Sequence, residues 1–135
     1  VTNNQINLVT KKRLLEIWPD FERYRTNALV LVAAPHPTSY TNHWMGPDGN
    51  PRSKNSVRER WSWNVSNREL PSREYARYFI LVELSERPTS ARVVIKRVFL
   101  VPAHIALKRK RIQTYGGRSY LDQFQVHNVD LRLAS

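Results

Sequence analysis

The chain has 135 residues, no cysteine, 41% hydrophobic residues and a formal net charge of +11. That length suits one domain with a single core. The missing cysteine excludes disulfide frameworks, thiolate zinc sites and cysteine nucleophiles, and points to a reducing compartment. There is no run of about 18 apolar residues that would cross a bilayer, and the opening "VTNNQINLV" lacks the charged-then-apolar layout of a secretory signal. A cytoplasmic protein with no membrane partner is therefore expected, or a nuclear or virion protein if the source is eukaryotic or viral.

In chain order, "LVTKKRLLEIWPDFERYR" reads as a helix capped by Thr10, with Leu14, Ile17, Trp18, Phe21 and Tyr24 at helical spacing. Pro19 inside that pattern predicts a kink or two short helices. "ALVLVAAP", stopped by Pro35 and Pro37, reads as a buried strand. From "HPTSYTNHW" through "MGPDGNPRSKNS" the chain is rich in Pro, Gly, Asn and Ser and is predicted to be a long loop, with Asp48 as a turn residue. "RERWSWNVS" alternates, Trp61, Trp63 and Val65 facing one way and Ser62, Asn64 and Ser66 the other, as in a half-buried strand. Asn64-Val65-Ser66 is a glycosylation sequon in letters only, being placed in that strand.

"ARYFILVELS" and "ARVVIKRVFLVP" are two strands joined by "ERPTS" as a hairpin, apolar enough to be covered on both faces. Lys96 and Arg97 interrupt the second on opposite faces and predict a bulge or an exposed edge. "AHIALKRKRI" reads as a short helix or extended turn, and "YLDQFQVHNVDLRL" as a closing strand. The sum is an α+β fold: a single domain, residues 1–135, with a mixed, mostly antiparallel sheet flanked by helices.

Charge is unevenly placed. Residues 52–118 hold 16 Lys or Arg against 5 Glu, while the rest of the chain is balanced at 6 against 6. Solubility needs only a few net charges, whereas a concentrated cationic field attracts polyanions by counterion release. Arginines outnumber lysines 16 to 6, and the planar guanidinium favours bidentate phosphate or guanine contacts. Trp61, Trp63, Tyr75, Tyr78 and Tyr115 are interleaved with Arg58, Arg60, Arg73, Arg77 and the run Lys108, Arg109, Lys110, Arg111. Cations beside flat rings suit nucleic acid, although the two tryptophans on one strand face fit a core better. The candidate binding residues are Arg52, Lys54, Arg58, Arg60, Arg97, Lys108, Arg109, Lys110, Arg111, Tyr115 and Arg118, forming a positive face from segments 52–60, 92–97 and 108–118.

Chemistry is less evident. Four glycines make no phosphate loop, and no serine elbow is present. His36 and His43 lack acidic partners at ligand spacing and read as solvated loop histidines. Phosphodiester cleavage with metal needs carboxylates near a lysine. The candidate catalytic pair is Glu83 with Lys96, and a cross-strand ion pair of Glu83 with Lys96 or Arg97 is the competing reading.

"RERWSWNVS", "YFILVELS", "RVFLVPAHIA" and "YLDQFQVHNVDL" together resemble the closing half of small PD-(D/E)XK nuclease-like proteins, over residues 28–131. The resemblance implies a strand bearing an acid-x-lysine metal site. Threading "ALVLVAAP" there puts Leu31 and Ala33 at the acid and lysine positions; the alternative uses Glu83 and Lys96 with Val94 in place of the second acid. Neither supplies a complete site, so the resemblance implies a degenerate, non-cleaving member. The expected function is nucleic-acid binding, DNA or RNA, through a basic face and without a cofactor. The alternatives are a metal-dependent DNA endonuclease using Mg2+ or Mn2+, or a structural RNA-binding subunit of a ribonucleoprotein or viral particle; a homodimer is compatible with any of them.

Overall fold

The computed structural model describes residues 2–66, 76–89 and 92–129. Arg73 and Tyr75 lie outside them. The first helix, α1 (Asn3–Ile17), starts earlier than its apolar spacing predicts. Thr2 caps it: the Thr2 hydroxyl accepts the Gln5 N–H at 3.2 Å, while the Gln5 side chain accepts the Thr2 N–H at 3.0 Å. Thr10, expected as the cap, is instead buried in mid-helix. The helix stops at Trp18 because the residue before a proline is pushed out of helical geometry. A second short helix, α2 (Phe21–Tyr24), follows, as Pro19 predicted. Trp18 stacks on Tyr24 at 5.7 Å, and Tyr24 meets Tyr78 edge-on at 5.1 Å.

Among the described residues seven strands form two sheets: β1 (Ala28–Ala33), β2 (His36–Met45), β3 (Pro51–Trp63), β4 (Tyr78–Leu84), β5 (Ile95–Pro102), β6 (Ile112–Thr114) and β7 (Gln125–Asn128). The central sheet has the order β1-β4-β5-β7, and the second has the order β2-β3-β6. All pairs are antiparallel except β1 with β4. With helix α3 (Ala103–Ala106) after β5 and a 3-10 turn (Tyr120–Phe124) before β7, the fold is α+β. No helix among the described residues is long and apolar enough to cross a membrane.

Alternation along β4 makes the layers. Ile80, Val82 and Leu84 point to one side and pack with Leu14, Phe21, Ile95 and Val98 under the helices. Phe79 and Leu81 point to the other and pack with Trp61, Trp63, Phe99, Val101, Ile112 and Leu121. Full burial of each such side chain is worth about 1.5–3 kcal/mol, so the central sheet is held from both faces. The indoles tie the sheets together: Trp61 Nε1 donates to the Leu84 carbonyl at 2.7 Å and Trp63 Nε1 to the Val82 carbonyl at 3.2 Å.

Glu83 is the one ionisable residue on the inner run of β4, and it too joins the sheets. Its carboxylate accepts two hydrogen bonds from Arg97, at 2.9 and 2.7 Å, and one from the Thr114 hydroxyl of β6 at 2.9 Å. Pairing runs Glu83 with Arg97 but Leu84 with Ile95, leaving Lys96 as the extra residue of a bulge. The bulge foreseen at Lys96–Arg97 is present, but the two cations do not take opposite faces: Lys96 lies over the Trp61 ring and Arg97 closes on Glu83, both on the side of Trp61 and Phe99.

The predicted loop from "HPTSYTNHW" onward is corrected by the structure. It is a two-stranded ribbon in which β2 and β3 pair over ten positions, from His36 opposite Arg60 to Met45 opposite Pro51. At about 3.3 Å per residue the ribbon is about 30 Å long. The third strand, β6, reaches only Trp61–Trp63, so the rest stands out with nearly every residue exposed. At the tip, Gly49 adopts a left-handed φ of 79°, and the Asp48 carboxylate accepts the Asn50 N–H at 3.1 Å. That backbone hydrogen bond is the chief cause holding the Asp48 carboxyl below its usual range.

Candidate nucleic-acid interface

Strand geometry sorts the ribbon's side chains. Trp61 and Trp63 point into the core, so odd-numbered positions of β3 share their face and even-numbered positions share the opposite one. Arg52, Lys54, Arg58 and Arg60 are all even. Directly opposed residues share a face, which adds Trp44, Asn42, Tyr40, Thr38 and His36 from β2. The other face carries Glu59 and no Lys or Arg from either strand. One side of the ribbon is therefore a row of cations with two aromatic rings among them, and the strand's only acid is on the reverse.

Pairing with β6 extends this row at its base. Trp63 lies opposite Ile112 and Trp61 opposite Thr114, so the adjoining Arg111 and Tyr115 fall on the cationic side. The Arg58 guanidinium lies between two rings, 3.7 Å from the centroid of Tyr115 and 4.9 Å from that of Tyr40. Such stacking fixes a flexible cation in place and leaves its N–H edge free to donate. Arg52 reaches Asp48 at 3.5 Å. Among the described residues, Lys54, Arg58, Arg60, Lys108, Arg109, Lys110, Arg111 and Arg118 have no carboxylate within ion-pair distance. Lys108, Arg109, Lys110, Arg111 and Arg118 are exposed. Arg109 lies 4.1 Å over the ring of Tyr120, whose hydroxyl burial pushes up in pKa while the Arg109 charge pulls it down.

Segment 92–97 does not join this surface. Arg92 faces Glu86 at 4.0 Å, and the Lys96 ammonium sits 4.8 Å from the Trp61 ring, on the core side. Arg97 is buried, with its guanidinium spent on Glu83 and, at 3.9 Å, on Asp122 at the rim. It is thereby removed from the candidate contact residues, since a guanidinium closed on a buried carboxylate offers no donor to a phosphate. Glu83 and Lys96 likewise part company: the carboxylate belongs to the Arg97 pair, the competing reading of the sequence. Among the described residues no three His, Asp or Glu side chains converge as a metal site. His36 and His43 stand at positions of opposite parity on β2 and face opposite ways.

Tyr78 is half-buried against Tyr24, and Trp61 and Trp63 are core. The rings that do stand among exposed cations are Tyr115, which the sequence pointed to, and Tyr40 and Trp44, which it did not. Their signal was the alternation of "RERWSW" carried backwards through "PRSKNSV" and then across the hairpin. Compared with known proteins, the chain matches no family model, no curated protein and no solved structure.

Proposed function

We propose that this protein binds nucleic acid with the cationic side of the ribbon, laying β2 and β3 into the major groove of duplex DNA. The observation that carries the reading is the single-sided row Arg52, Lys54, Arg58 and Arg60, uncompensated beyond Arg52 among the described residues and continued by Arg111 at its base. A two-stranded ribbon fits the major groove of B-form DNA, about 12 Å wide, but not the deep, narrow one of A-form RNA. The flanking cations then meet the phosphates, which supply most of the affinity and set register, while the arginines and Asn42 reach toward base edges. An isolated two-stranded ribbon is marginal in water, so contact with a polyanion would also steady it. Binding without cleavage is favoured by the commitment of Glu83 to Arg97.

Fluorescence anisotropy with a labelled duplex tests this. If about six phosphates are neutralised, affinity falls by about three decades between 50 and 200 mM salt. Lys54→Gln with Arg58→Gln lowers the logarithmic salt slope by about 2, while Ser39→Ala with Ser53→Ala, on the reverse face, leaves it unchanged. Absence of binding to DNA at low salt, or a slope indifferent to the first pair, would refute the reading. Equal affinity for duplex RNA would overturn the groove placement.

A further inference from the structure

Where the ribbon meets the central sheet, an open cavity of about 390 Å³ is lined by Ala34, His36, Arg60, Ser62, Asn64 and Arg111. Two arginines and a histidine line it together with a serine and an asparagine, and among the described residues no carboxylate does. Two like charges brought to one cavity repel unless an anion sits between them. Among the described residues of this half of the chain, Glu59 is on the ribbon's reverse face, Asp48 at its tip, Glu83 closed on Arg97 and Glu86 turned to Arg92.

Two further features concern donors on the residues that line the cavity. The Arg60 Nε is buried and has no acceptor among the described residues, a donor that costs stability until an oxygen meets it. Arg87 Nη2 approaches His36 Nδ1 at 3.4 Å. A guanidinium only donates, so in the tautomer that makes this contact a hydrogen bond Nδ1 accepts and Nε2 carries the N–H. The cavity also shares Ala34, His36, Ser62 and Asn64 with a groove of about 760 Å³ that runs along β1. Leu29, Leu31 and Trp63 give that groove an apolar side, with Asn3, Asn7 and Lys11 of α1 along it.

We infer that this cavity is a phosphate-monoester site: Arg60 and Arg111 clamp the phosphoryl oxygens, His36 and Asn64 add donors, and the ester's organic group lies toward the β1 groove. Its macromolecular ligand, a 5′-phosphorylated strand end, rests on the nucleic-acid reading; a free phosphate does not. The cavity takes Arg60 and Arg111 from the base of the ribbon row, while Arg52, Lys54 and Arg58 beyond it meet internal phosphodiesters along an open surface.

The test uses the full chain and two kinds of probe. Inorganic phosphate is titrated by calorimetry at constant ionic strength against chloride, and anisotropy compares duplexes identical except for a 5′-phosphate or a 5′-hydroxyl. Phosphate binding, with the phosphorylated duplex held about tenfold tighter, is the expected result. In Arg111→Gln, and in Arg60→Gln if it folds, phosphate binding is lost and the ratio of the two duplexes falls to one. Arg111 is exposed, so its variant is expected to fold. Phosphate binding that Arg111→Gln abolishes, with a duplex ratio of one, supports the site and overturns the strand end as its ligand. No phosphate binding together with a ratio of one overturns the site, even where salt-dependent duplex binding upholds the ribbon. Failure of all duplex binding sinks the ribbon alone, because the phosphate titration still reads the cavity.

Discussion

Arg97→Met leaves the Glu83 carboxylate buried with Thr114 as its remaining hydrogen-bond donor among the described residues. Glu83 is 0% exposed and Arg97 5% exposed, and the pair is closed by two charge-assisted hydrogen bonds of 2.9 and 2.7 Å. Removing one member of such a pair costs about 3–5 kcal/mol, because the surviving charge stays desolvated. That is a large share of the roughly 5–15 kcal/mol that holds a domain together. Thr114→Val removes a single hydrogen bond to a charged group and is expected to cost about 1.5–3 kcal/mol. Replacing both ionic partners, Glu83→Leu with Arg97→Met, removes the desolvation cost along with the attraction and recovers most of the loss. Urea unfolding of the wild type and these variants, followed by fluorescence of Trp61 and Trp63 in the same core, measures the differences. An Arg97→Met protein with the wild-type midpoint and slope would refute the reasoning. So would a double variant that loses the sum of its two single losses.

Gly116 has a φ of 84°, and a Cβ there would lie 3.4 Å from the Trp61 ring. Gly116→Ala is therefore expected to lose about 1–2 kcal/mol by thermal unfolding, whereas Gly117→Ala, which meets nothing within 4 Å, should be close to neutral. Arg58→Lys keeps the charge but not the planar group between Tyr40 and Tyr115, so DNA affinity should fall about threefold, as expected for about 0.5–1 kcal/mol of stacking, with the salt slope unchanged. Arg58→Gln should instead lower that slope by about 1. Asp48 has its carboxyl held down by the Asn50 N–H, so the tip's bonds are present above the carboxyl's unfolded pKa and lost as pH falls through the lower, folded one. The Asn50 amide resonance should titrate with a midpoint below 3.8, and a midpoint at or above it would contradict the turn geometry.

The strands that fill the core were legible because burial writes itself into the sequence. "YFILVEL", "VFLVP" and the Trp61/Trp63 alternation each report a neighbour on one or both faces. The break at Pro19 and the bulge at Lys96–Arg97 were legible as local rules. The outer part of the ribbon was not, because it buries almost nothing and shows no apolar period; its prolines, asparagines and serines look like loop. The parallel pairing of β1 with β4 leaves no local trace either. At the site, net charge named Arg52, Lys54, Arg58, Arg60 and Arg111, but charge alone also named Arg97. Only the register of β4 on β5 showed that cation facing Glu83. Tyr40, Trp44 and His36 join the surface through the register of β2 on β3, a pairing invisible while residues 36–56 read as loop.

The ribbon is spliced into the connection between two parallel strands, β1 and β4, and among the described residues the third strand holds it at its root. Two residues added to each arm at the tip would lengthen it and leave every side chain's direction intact. A single residue inserted between Arg58 and Arg60 would rotate the outer part of β3 by half a pleat: Arg52, Lys54 and Arg58 would turn to the side now held by Glu59, while Trp61 and Trp63 stayed home. The polarity of this appendage is thus a matter of odd and even spacing from an anchored tryptophan, and chain length there is constrained in steps of two.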